Sequence, residues 1–168
     1  RFKDTTYSGF LKIPSGYGYV TDFYNSQNGI KPESAIGYCT IHDYFAMTLA
    51  SLKSPVIHTS DAASFGNFDL KSKTFKHDFP TAITSGYDVI GEYKNIPVSV
   101  AIGDNQASVF GAVSGNDDIL LNIGTGSQIS IISSEIINTQ NTEVRPYTDN
   151  NYLIVGAALC GGRAYSML

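Results

Sequence analysis

The chain has 168 residues, of which 42% are hydrophobic and 15% charged, and it carries a formal charge of −4. That balance excludes disordered and fibrous classes, and the length suffices to bury one good core or two small lobes. Net negative charge without any Lys/Arg cluster argues against nucleic acid as a partner, because phosphate backbones are bound by concentrated positive charge.

No apolar run has the length of a bilayer span, and the opening Arg1-Phe2-Lys3-Asp4 lacks the hydrophobic stretch of a leader. No membrane partner and a cytoplasmic location are therefore expected. Cys39 and Cys160 stand alone without metal-ligand spacing, which reads as free thiols in a reducing compartment. His42, His58 and His77 are scattered, and no pair has the spacing of zinc ligands, so no metal site is assigned.

In chain order, the opening through Lys12 shows no clear period. Tyr17, Val20, Phe23 and Tyr24 fall near helical spacing, and Asn28-Gly29 supplies a stop, so a helix is expected between Ser15 and Asn28. Gly37 to Ile41 reads as a short β-like run. His42 to Leu52 then reads as a helix, with Asp43 near its start where the helix dipole favours negative charge. Pro55 to His58 is extended and leads into a Ser/Thr/Asp-rich loop, Thr59 to Ser64, in which Asp61 is expected to order the loop through its own backbone.

Asn67 to Phe75 alternates around a polar tip, the pattern of a β-hairpin. Residues 76–95 read as connections plus one strand, Tyr87 to Tyr93. Ile96 to Ile102 is apolar and short, consistent with a buried strand that delivers Asp104 to its end. Gly103 allows a sharp turn there, and a helix is expected from Asn105 to Val113, with Val109, Phe110 and Val113 on its apolar face. Turn residues follow at Ser114 to Asp118, where Asp117 and Asp118 read as solvated loop charge. Strands are then expected at 119–123, 128–132, 143–147 and 152–155, with Asp149-Asn150-Asn151 a hairpin tip, and Gly161-Gly162 opens a last helix.

Two features carry chemistry. Asp104 stands at the end of a strand and the start of a helix, where a carboxylate can act as a base; a helix cap is the alternative reading. Beyond it, Gly124-Thr125-Gly126 joins two strands, and glycines flanking a hydroxyl let backbone amides approach an anion closely. A plain hairpin turn also favours glycine. A carboxylate followed by a phosphate-type turn suggests phosphoryl transfer.

Gly103-Asp104-Asn105-Gln106-Ala107 and Asn122-Ile123-Gly124-Thr125-Gly126-Ser127 resemble segments of the FGGY carbohydrate kinases, within which they are most similar to the sedoheptulokinase-like branch. Ser15-Gly16-Tyr17-Gly18, Ile41-His42-Asp43-Tyr44, Ser60-Asp61-Ala62-Ala63-Ser64 and Gly156 to Gly162 extend the resemblance along the chain in family order. The resemblance implies an α/β fold of the ribonuclease-H-like or actin-like ATPase kind. Residues 1–113 would then be the later part of the N-terminal, sugar-side lobe, and residues 114–168 the start of the C-terminal, nucleotide-side lobe, so an internal piece of a longer chain is expected.

By the same resemblance Asp104 would be the general base and Asn105 would lie near the sugar. Gly124, Thr125, Gly126 and Ser127 would face the nucleotide phosphates, as would Gly162 at a helix start. Gln106 is expected to be structural, and Ser166 falls where some relatives carry a nucleotide-contacting Gln. The expected reaction moves the γ-phosphate of ATP, with Mg²⁺, to a hydroxyl of a ketose such as sedoheptulose or xylulose, or of a polyol. A homodimer is left open. The alternatives are a catalytically inactive sugar-binding relative of the same fold, or a kinase of that fold acting on acetate or another sugar.

Overall fold

A computed structural model describes residues 11–13, 15–35, 37–76, 81–158, 160–162 and 167. The chain forms two compact units, Arg1–Ile102 and Gly103–Leu168. This division by packing falls ahead of the expected lobe boundary at 113/114, because the helix that starts at Asp104 packs with the second unit.

In the first unit, α1 (Gly18–Gln27) ends at Asn28, as the Asn-Gly stop predicts. Its Val20 is fully buried. The expected β-like run before the next helix is not a strand: Thr40 instead caps α2 (Ile41–Leu49). The Thr40 hydroxyl and the Asp43 side chain form a reciprocal capping box, satisfying amides that a helix start otherwise leaves without partners. Strand β1 (Val56–His58) runs parallel to β4 (Ala82–Thr84), with Ile57 opposite Ile83.

The expected loop at 59–64 is a short helix, α3 (Thr59–Ser64), started by His58, whose Nδ1 accepts from the Ser60 amide at 3.2 Å. Asp61 therefore sits in a buried helical turn and does not bond its own loop backbone. The polar-tipped hairpin is present as β2 (Phe68–Asp69) and β3 (Thr74–Phe75), closed by an edge-to-face contact of Phe68 and Phe75.

The apolar run at 96–102 departs most from expectation. Its strand, β6 (Ile96–Ser99), is largely exposed and pairs only with β5 (Val89–Tyr93). Pro97 suits such an edge position because it lacks a ladder donor. The two-residue turn Lys94-Asn95 takes positive φ at both residues, matching the twist of a tight hairpin. Burial resumes at Val100, 2% exposed.

The second unit is built on α4 (Asp104–Ala112) and a four-stranded antiparallel sheet of order β7-β8-β10-β9, comprising β7 (Ile119–Ile123), β8 (Ser127–Ser133), β9 (Glu143–Pro146) and β10 (Tyr152–Ala158). Alternation along the strands divides this sheet into two faces. Leu153 and Val155 of β10, with Leu120 and Ile132, pack with Val109 and Val113 of the helix segment and with Tyr147. Register places Ile119 opposite Ile131 and Leu121 opposite Ile129, and these side chains form an exposed apolar row on the other face. The tip between β9 and β10 is the expected one, with Asp149 and Asn150 both at positive φ.

Candidate active site

Asp104 is the first residue of α4, and Gly103 occupies the cap position. The aspartate is thus not the cap that the alternative reading supposes. It is exposed, and its Oδ1 accepts from the Asn105 amide at 2.7 Å, which orients the carboxyl at the positive end of the helix. Behind it, Gln106 is buried and donates Nε2–H to the Pro146 carbonyl at 2.8 Å, tying α4 to β9 in the structural role expected of it.

Asn105 is bonded to the sheet. Its Nδ2 donates to Gln128 Oε1 at 3.1 Å, and Gln128 Nε2 donates in turn to Ser130 Oγ at 3.0 Å. The residue after the aspartate is therefore bonded to the strand that leaves the Gly-Thr-Gly turn. Asn105 Oδ1 is buried without a partner, an acceptor available to a ligand hydroxyl.

Gly124, Thr125 and Gly126 are exposed, and none of the three has left-handed backbone. Their glycines serve close approach instead. The Gly162 amide donates to the Gly124 carbonyl at 2.6 Å, and the Gly124 amide to the Gly126 carbonyl at 2.8 Å. A Cβ on Gly161 would lie 2.4 Å from the Gly126 carbonyl oxygen and 2.6 Å from that of Gly124, so backbone presses on backbone here. The Ser127 hydroxyl donates to the Cys160 carbonyl at 2.8 Å, bracing the same contact. Beside the turn, Leu121, Ile123, Ser127, Gly161 and Gly162 line an open hollow of about 460 Å³.

The structure thus brings Asn105 together with the β8 strand, and Gly162 with the Gly124 turn. Ser166 and the helix expected after Gly162 lie outside the described residues, as does His77. Sequence reasoning missed two participants. Gly161 needed knowledge of a chain returning from 35 positions away, although the double glycine was a signal. Gln128 gave no local signal at all.

Asp43 and Asp61, expected to be structural, are both buried. Burial pushes the Asp61 carboxyl up to about 7, with His42 opposing that shift and the negative charge of Asp43 adding to it. Burial lowers the basicity of His58. Cys39 and Cys160 are free thiols, and among the described residues no helix is long and apolar enough to cross a membrane.

No family model matches the chain. It is 29% identical to mouse sedoheptulokinase over 180 aligned residues and 30% identical to the human enzyme over 182, covering 90% of this chain in both cases. It spans 37% of the length of those relatives. Among solved structures, the xylulose kinase of Lactobacillus acidophilus superposes with a TM-score of 0.71 at 19% identity, covering 90% of this chain and 36% of that one. The glycerol kinase of Plasmodium falciparum, solved with ADP, gives 0.70 at 18% identity, covering 89% and 36%. The expected actin-like α/β architecture is therefore present, and the similarity to the sedoheptulokinases over 90% of this chain bears out the expected resemblance to the FGGY carbohydrate kinases.

Proposed function

We propose that the protein to which this chain belongs transfers the γ-phosphate of ATP to a hydroxyl of a ketose, sedoheptulose or xylulose being the first candidates from the names of its relatives. Residues 1–113 belong in this reading to the sugar-side lobe and residues 114–168 to the nucleotide side. The observation that carries it is the exposed Asp104 carboxyl in the first turn of α4, joined through Asn105 and Gln128 to the strand that leaves the Gly-Thr-Gly turn.

A sugar hydroxyl becomes an effective nucleophile as its proton is taken during formation of the bond to phosphorus. With Oδ1 held by the Asn105 amide, Asp104 turns its Oδ2 toward that proton. Asn105 offers its unpartnered Oδ1 to a second sugar hydroxyl. The amides of Gly124 and Gly162 are engaged with backbone carbonyls, so the Thr125 hydroxyl and the Thr125-Gly126 backbone receive the phosphates. The glycine backbone at 161–162 fits this role, since a side chain there would fill the space against the turn. Mg²⁺, when bound with the nucleotide, neutralises charge across the phosphates, and no residue of this chain is assigned as its ligand.

The test is ADP release by the intact protein across ketoses, pentoses and polyols, with Asp104→Asn alongside. Turnover with a ketose that falls by about 10²- to 10⁴-fold in the variant is expected. Nucleotide binding without turnover on any acceptor would mark a non-catalytic relative.

A further inference from the structure

Outside that site, one cluster in the first unit has more negative charge than its surroundings balance. Asp43 and Asp61 are 1% and 2% exposed, and each keeps one buried carboxylate oxygen, Asp43 Oδ1 and Asp61 Oδ2, without a hydrogen-bond partner. The other oxygens are committed. Asp43 Oδ2 accepts from the Thr40 amide at 2.9 Å and from the Thr40 hydroxyl at 2.6 Å, while Asp61 Oδ1 lies 2.8 Å from His42 Nε2. One donor atom from each of His42, Asp43 and Asp61 lies within 4.8 Å of the others.

With Asp61 ionised, two buried carboxylates facing one imidazole leave the pair short of positive charge, and an unpaired buried charge is among the costliest features a fold can carry. We infer that His42, Asp43 and Asp61 form a site for a divalent cation that accepts mixed nitrogen and oxygen donors, such as Mn²⁺ or Zn²⁺. The donor set suits these ions better than Ca²⁺ or Mg²⁺, which prefer oxygen alone. Ligands around one such ion stand about 3 to 3.5 Å apart for bonds near 2.1 Å, so the cluster closes on the ion by side-chain adjustment of roughly an ångström. His42 is the exposed member, its side chain 45% exposed, and from that side water completes the coordination. The ion would link the start of α2 to α3 and does not depend on the kinase reading.

The test is equilibrium dialysis of the metal-stripped intact protein against Mn²⁺ alone and Zn²⁺ alone, without nucleotide, at pH 7.5, with thermal unfolding in parallel. Mn²⁺ matters because free cysteines take up Zn²⁺ but hold Mn²⁺ poorly. One ion per chain is expected, with a raised melting temperature, and His42→Ala should weaken binding at least about tenfold. Asp61→Asn should abolish it. His42 is exposed enough for its variant to fold, which keeps the test decisive if the aspartate variant does not. Absence of Mn²⁺ and Zn²⁺ uptake, or uptake unchanged in His42→Ala, would overturn the site and leave a proton shared by the two carboxyls as the neutralising charge.

Discussion

In the second unit the groups proposed for chemistry stand in solvent on backbone that is locked from behind, whereas the first unit encloses Asp43 and Asp61. Asp104 begins a helix with one oxygen pinned by a neighbouring amide, and the residue is exposed. Asp43 and Asp61 begin or occupy helical turns as well, yet the interior closes over them. Residue type and helix position are nearly the same in both places, so burial is what separates the carboxylate proposed to react from the enclosed pair. Asp104 stays within reach of a ligand, while the enclosed pair, when both are ionised, needs a compensating charge.

The largest effect that would break this contrast is catalytic. Asp104→Ala is expected to remove 10²-fold or more of kcat, by the usual contribution of general-base catalysis of about 10² to 10⁴, with the melting temperature nearly unchanged. Asp61→Asn should do the reverse, shifting stability or metal uptake while leaving the kcat of folded protein within about threefold. Equal losses of kcat in both would erase the distinction.

Next is the backbone contact behind the Gly-Thr-Gly turn. Gly161→Ala places a methyl group 2.4 to 2.6 Å from main-chain atoms of Gly124 and Gly126, and overpacking of this kind costs about 1 to 3 kcal/mol. The expected readout is a matching loss of nucleotide affinity by calorimetry. Unaltered affinity would detach this contact from the nucleotide. A smaller effect is expected for Gln128→Ala, which deletes the hydrogen bond to Asn105 and should cost about 1 kcal/mol. Its signature is a rise in the KM for sugar with that for ATP steady.

The smallest effect concerns pH and the first unit. His58 is fully enclosed, and burial holds its pKa below the ordinary 6.5. Its contribution to stability is complete above about pH 6.5 and is lost as pH falls through that value toward the folded-state pKa, since the unfolded chain takes up the proton first. Denaturant unfolding between pH 5 and 8 should show that loss, and His58→Gln should flatten it. A slope identical in wild type and variant would assign the pH sensitivity elsewhere.

Regular, locally encoded features were legible before any coordinates. The short strands expected at 119–123 and 128–132 are β7 and β8, the Asp149-Asn150 pair gave the tip before β10, and the Gly103-Asp104 step gave the start of α4. Features made by distant partners were not legible. Thr59–Ser64 has loop composition and is helical because His58 caps it and the interior covers it. The three residues of β4 carry no readable period, and their parallel partner lies far back in the chain. Ile96–Ser99 looked like a core strand, since apolar composition alone cannot tell a core strand from an exposed edge. At the candidate site the carboxylate and the turn were readable from their neighbours, while Gln128 and Gly161 matter only through what reaches them in space.

Where the returning strand meets the hairpin, no side chain mediates between Gly161 and the carbonyls of Gly124 and Gly126. Most packed contacts drift over evolutionary time by trading bulk between partners, but two bare main chains have nothing to trade. A saturation-mutagenesis map should accordingly be blank at position 161, where even a methyl group is too much, yet permissive at exposed positions on the turn's outer side. The constraint is geometric, and it would persist whatever the residues around it became.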